Sequence, residues 1–133
     1  PQGVHVIDDA YNANPGSVQA ALGTLADLSG QARRFAALGD MLELGPEAAA
    51  LHHAVGLHAG RSGVATVFAL GQWAEDTARG ARAGGCEAAA FTDIKALQAA
   101  VGQTLRPGDW LLVKGSRGMR MERLVSSVVK GEV

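Results

Sequence analysis

Short apolar runs alternate with stretches of helical spacing along the chain from one end to the other. Val4-His5-Val6-Ile7-Asp8 is a compact β-branched run, which predicts a strand buried on both faces. Asn14-Pro15 then pairs a capping residue with a proline at a first helical position. The helix it opens carries Val18, Ala21, Leu22, Leu25 and Leu28 at core spacing and ends at Gly30. Phe35–Gly39 predicts a second strand, and a helix follows from Pro46 to about Arg61. Thr66–Leu70 is a third strand, with a helix from about Gln72 to Ala83 closed by Gly84-Gly85. Ala88–Phe91, a helix from about Asp93 to Leu105, the turn Pro107-Gly108-Asp109, and the strand Trp110–Val113 continue the pattern. A last helix is expected from Met119 to Lys130.

Strands separated by helices cannot pair through hairpins, so the sheet is expected to be mostly parallel, with helices on both faces. The predicted class is α/β, a Rossmann-like three-layer sandwich. With 133 residues, no long linker and no internal repeat, a single domain is expected. In such sheets ligands bind beyond the carboxyl ends of the strands. The polar, glycine-rich loops fall at those ends: residues 8–17 (DDAYNANPGS), 38–45 (LGDMLELG) and 114–120 (KGSRGMR).

Composition narrows the function classes. The formal charge is -1 with both signs interspersed, which disfavours a nucleic-acid surface. No apolar run approaches the ~20 residues of a membrane span, and no leader pattern opens the chain. Because the chain starts directly on a strand, further residues upstream of Pro1 are expected. The single Cys86 excludes an internal disulfide framework, suits a reducing cytoplasm, and reads as an inert small residue near a strand start.

Three loops could carry chemistry. Asp8 and Asp9 follow a strand, where a carboxylate can accept both hydroxyls of a ribose. Asn12 and Asn14 offer donors and acceptors, and Tyr11 could lie against an adenine ring. Equally, Asp8, Asn12 and Asn14 could satisfy the turn and cap the helix, which is the better reading of Asn14. Asp40 and Glu43 could meet an ammonium or a metal, or serve only to solvate the loop and favour the helix N-terminus. Lys114, Ser116 and Arg117 form a receptor for a carboxylate or phosphate, favoured over a solvated basic turn because the cations directly follow an apolar strand end. His52, His53 and His58 do not share a helical face at metal-binding spacing, and His52 reads as a polar helix residue near the rim. Trp73, Trp110 and Met119 read as packing residues. There is no nucleophile elbow, no Walker loop and no GxGxxG, so the domain looks built to bind rather than to catalyse alone.

Taken together, the strings DDAYNANPGS, LGDMLELG with Leu51-His52 to Gly56, and LVKGSRGMRME (residues 112–122) resemble the C-terminal domain of the Mur ligases over nearly the whole chain. The Tyr11-Asn12-Ala13-Asn14 form of the first loop is similar to the branch that adds D-alanyl-D-alanine. The resemblance implies residues 1–133 as the C-terminal domain of an ATP-dependent ligase of peptidoglycan synthesis. Its partners would be D-alanyl-D-alanine, UDP-N-acetylmuramoyl-tripeptide and its own central domain. ATP and Mg2+ would be used, the metal being held mainly by that central domain, which is absent here together with the N-terminal one. About 300 further residues upstream, with a GKT/S phosphate loop, are expected on this reading. By resemblance Asp9 would hold the ribose, with Tyr11, Asn12 and Asn14 on the nucleotide side. Asp40 and Glu43 would lie by the incoming amine or the closing interface. Lys114, Ser116 and Arg117 would face the dipeptide carboxylate or the reacting phosphate. A folylpolyglutamate synthase-like or other Mur ligase domain, or a non-catalytic Rossmann-like nucleotide module, are the alternatives.

Overall fold

A computed structural model describes residues 3–130. Five strands, β1 (His5–Asp9), β2 (Arg34–Gly39), β3 (Thr66–Leu70), β4 (Glu87–Phe91) and β5 (Trp110–Lys114), form one sheet in the order β1-β5-β2-β3-β4. Every pairing is parallel. The helices are α1 (Pro15–Ser29), α2 (Ala48–Arg61), α3 (Ala74–Gly84), α4 (Ile94–Thr104) and α5 (Glu122–Val129).

Side chains alternate across each strand, and this splits the core in two. Ala36, Leu38, Val67 and Leu112 face α1 and α2, where Val18, Leu22, Leu25, Val55 and Ala59 cover them. Phe35, Ala37, Phe68, Leu111 and Val113 face α4 and α5, against Leu97, Val101, Leu124 and Val128. The interior strands β2, β3 and β5 are therefore apolar at nearly every position, as burial on both faces requires.

β1 departs from expectation. It lies at the edge of the sheet, and His5 and Asp8 are exposed, so it is covered only in part. Its β-branched run is compatible with a half-buried edge as well as with a central strand, because composition reports strand formation and not strand rank. Leu28, expected in the core, is 56% exposed at the end of α1. The last helix starts later than expected: a short 3-10 turn (Arg117–Met119) is followed by Arg120 in the left-handed region, at φ 53°, which breaks the helical path before Glu122. Likewise Gly45–Glu47 form a 3-10 turn ahead of α2.

α2 and α3 approach so closely that glycine is obligatory. A Cβ on Gly56 would strike the backbone of Thr77, and one on Gly80 would strike the backbone of His53. Gly60 and Gly84 meet in the same seam. The two helices thus each carry a Gly-x-x-x-Gly pair on the contacting face, the spacing that places small residues one turn apart.

The connectivity locates a crevice. The chain moves from β2 to β3 to β4 in one direction, then returns through α4 to lay β5 between β1 and β2. The helix after β1 packs on one face and the helix after β5 on the other. The loops leaving these two neighbouring strands therefore diverge, and a crevice opens between them at the carboxyl rim.

Candidate functional site

The loops after β1, β2 and β5 meet at that rim. In the β1–β5 register Asp9 stands opposite Lys114 on the last rung. Both side chains project to the α1 face, and Lys114 Nζ donates to Asp9 Oδ2 at 2.7 Å and to the Asn12 carbonyl at 2.8 Å. The Lys114 side chain is 2% exposed while that of Asp9 is 44% exposed. A buried ammonium thus anchors the turn from below and leaves the carboxylate at the surface. Among the described residues Asp9 Oδ1 has no hydrogen-bond partner. A second link runs across the mouth: the Arg117 guanidinium lies 4.8 Å from the centre of the Tyr11 ring, and Nη2 donates to the Tyr11 hydroxyl at 3.2 Å. Between these two links lies a cavity of about 440 Å3 lined by Asp8, Asp9, Ala10, Tyr11, Arg117 and Glu122. Three carboxylates against one surface guanidinium make it a poor seat for a free phosphate and a good one for hydroxyl donors.

Each remaining candidate has a definite place. Asn14 is the N-cap of α1: its Oδ1 accepts from Ser17 N at 2.9 Å, and Ser17 Oγ accepts from Asn14 N at 3.0 Å. Asn12 contributes its carbonyl to Lys114 and is itself exposed. Asp8 closes the turn by accepting from Ala10 N at 3.3 Å.

Asp40 points inward rather than into the crevice. It is 5% exposed, and its carboxylate accepts from Gln72 N at 2.8 Å and Trp73 N at 3.0 Å. Gly71, at φ 126°, permits this: any Cβ there would collide with the Asp40 carboxylate. Ser116 is also buried, its Oγ accepting from Leu42 N at 2.8 Å and its amide donating to the Asp40 carbonyl at 3.1 Å. Glu43 stands exposed at the loop tip with φ 63°.

His52 was legible as a helix residue but not as a buried one. It is 2% exposed; Nε2 accepts from Met41 N at 2.9 Å and Nδ1 lies 2.7 Å from the Ala48 carbonyl. An amide can only donate and a carbonyl can only accept, so the ring is the neutral tautomer protonated on Nδ1. It stacks on Trp73 at 5.9 Å, with Asp40 Oδ1 3.9 Å from Nε2. The period of α2 could have signalled this burial, since His52 shares a face with Ala48, Val55 and Ala59.

A second hollow of about 550 Å3 lies at the opposite end, where Thr66 and Glu87 begin β3 and β4; it gathers no comparable set of polar loops. Among the described residues no three His, Cys, Asp or Glu side chains cluster closely enough to hold a metal ion. No helix among them is long and apolar enough to cross a membrane.

Comparison with known proteins agrees with this architecture. Residues 1–117 match the Mur ligase, glutamate ligase domain, and the chain belongs to that family. Within it, the UDP-N-acetylmuramoyl-tripeptide–D-alanyl-D-alanine ligase of Bacillus subtilis is 34% identical over 130 residues, covering 96% of this chain and 28% of that protein. The enzyme of the same name from Treponema pallidum is 40% identical over 118 residues, 87% of this chain and 26% of that protein. A crystal structure of MurF from Acinetobacter baumannii superposes with a TM-score of 0.86 at 28% identity, over 98% of this chain and 29% of that one. MurF ligase from Thermotoga maritima, solved in complex with ADP, gives 0.79 at 25% identity, over 97% of this chain and 29% of that one. The chain thus spans little more than a quarter of the length of these relatives.

Proposed function

We propose that this chain is the C-terminal domain of an ATP-dependent ligase that joins D-alanyl-D-alanine to UDP-N-acetylmuramoyl-tripeptide in peptidoglycan synthesis. The observation that carries the reading is the joining of the Asp9 turn to the Lys114–Arg117 turn on one rim. The names of the relatives supply the reaction, and the ADP complex of the Thermotoga protein supports a nucleotide ligand.

In this reading the tripeptide carboxylate attacks the γ-phosphorus of ATP, giving an acyl phosphate and ADP. The amine of the dipeptide then attacks the acyl carbon, loses a proton, and the tetrahedral intermediate expels inorganic phosphate. Activation is needed because a free carboxylate is a poor electrophile, and the protein contributes mainly position and electrostatics. Asp9 Oδ1 accepts from a ribose hydroxyl, and the exposed face of Tyr11, with Asn12 beside it, receives the base. Asn14 acts on the nucleotide through the cap that sets this turn. Glu43 meets the incoming ammonium, and Arg117 the dipeptide carboxylate or the phosphate region. Lys114, Ser116 and Asp40 serve by holding the loops, since their polar atoms are already engaged inside the domain. Magnesium would be held mainly by the central domain, as the family resemblance implies. Closure of this domain over its neighbour in the cytoplasmic enzyme would complete the site.

The test is phosphate release by the complete protein, expected only when ATP, UDP-N-acetylmuramoyl-tripeptide and D-alanyl-D-alanine are all present. Glutamate or a single alanine should not replace the dipeptide. Equal turnover with glutamate would move the protein to another branch of the family. The chain on its own should show no turnover, and measurable ligation by it would overturn the division of labour.

A further inference from the structure

We propose that His52 is a positioning residue for the candidate site, fixing through the Met41 amide the loop tip that presents Glu43. The role of Glu43 toward an ammonium rests on the reading above; the role of His52 toward the loop rests on geometry alone. Residues 40–44 leave β2 at the rim with little regular structure, yet three side chains hold their backbone from three directions. His52 Nε2 takes the Met41 amide, Ser116 Oγ takes the Leu42 amide, and the Asp40 carboxylate is tied to the turn before α3. Beyond these anchors Glu43 adopts a left-handed conformation that costs a non-glycine residue free energy. Such a conformation persists where the surroundings over-determine it, and the two amide bonds immediately before it do so. Leu42, 44% exposed, lies over Gly118 and adds a packing contact to the same tip.

His52 can do this only with Nε2 unprotonated and Nδ1 bonded to Ala48, four residues back on α2. Stacking on Trp73 fixes the ring plane. The acceptor Nε2 is aimed out of α2 at the buried backbone amide of Met41, two residues before the exposed tip at Glu43. The sheet, α2 and the β5 loop thus converge on one short segment, and its only outward carboxylate is Glu43.

The two amide isosteres of histidine separate this role from plain packing. Glutamine can place an oxygen where Nε2 lies; asparagine reaches only the Nδ1 position. In the complete protein, His52→Asn is expected to raise KM for the amine substrate about tenfold while kcat and KM for ATP stay within about twofold, since small misplacements cost rate or affinity in this range. His52→Gln should restore most of the loss. Hydrogen exchange at the Met41 and Leu42 amides should accelerate in His52→Asn and not in His52→Gln. Ser116→Ala should accelerate Leu42 alone, with little loss of thermal stability. Identical behaviour of the two His52 variants in exchange would overturn the proposal, as would an equal rise in both KM values. Glu43→Gln separates the two claims: if it leaves the amine KM unchanged, the ammonium reading fails, while the exchange result still decides the positioning role.

Discussion

Lys114 Nζ lies 2.7 Å from Asp9 Oδ2, across the last rung of the β1–β5 pairing, with the lysine buried and the carboxylate at the surface. This asymmetry has an energetic consequence. Removing Asp9 leaves a buried ammonium with the Asn12 carbonyl and no counter-charge, whereas removing Lys114 leaves a carboxylate that water can solvate. Asp9→Ala is therefore expected to cost about 3 kcal/mol, the low end for a broken buried pair, because the carboxylate is part-exposed. Lys114→Met should cost about 1 kcal/mol or less, and the double variant should recover most of the Asp9→Ala loss. Urea unfolding of the four proteins measures this cycle; equal losses for the two single variants would contradict the burial argument.

Asp40 is expected to matter for stability before it matters for any ligand. Its carboxylate satisfies two amides at the turn into α3, so Asp40→Ala should cost about 1–3 kcal/mol. A thermal midpoint unchanged by this substitution would mean that the carboxylate is directed elsewhere in solution.

The α2–α3 seam yields a paired prediction. Gly80→Ala puts a methyl group into the backbone of α2 and should destabilise by more than 3 kcal/mol or prevent folding. Gly23→Ala, in the middle of α1 with open space around it, should stabilise by about 0.5–1 kcal/mol. Circular-dichroism melts of the two variants, moving in opposite directions, would separate close packing from helix propensity.

Burial pushes the half-buried Cys86 thiol above its ordinary pKa, the thiolate being disfavoured beside the core. At neutral pH its reaction with a thiol reagent should be slower than that of the unfolded chain. The folded state holds the proton more tightly than the unfolded one. Its contribution to stability is therefore complete below the ordinary thiol range near about 8.5, and is lost as pH rises above it. Cys86→Ala should flatten that alkaline decline; an unchanged slope would assign the decline to other groups.

Much of the domain was legible along the chain. The Asn14-Pro15 cap, the buried spacing of Val18, Leu22 and Leu25, and the apolar runs of β2, β3 and β5 are local properties, set by dihedral preference and side-chain period. The close α2–α3 seam of Gly56, Gly60, Gly80 and Gly84 emerged only in the structure, since nothing local says that two glycine-bearing helices face each other. Lys114, Ser116 and Asp40 show the other side. Residue type and loop position made them plausible ligands, but their side chains turn inward, because the direction of a loop residue depends on what lies beneath it.

Sequence alone therefore determined the elements, their alternation, the parallel sheet and the three loops that share a rim. Only the tertiary structure decided that β1 is an edge, that β5 enters between β1 and β2, and which polar groups look outward. The physical reason is that hydrogen-bond and packing preferences within an element act over a few residues. Strand order and the burial of a charge are instead set by contacts such as Asp9 with Lys114, which exist only once distant segments have met.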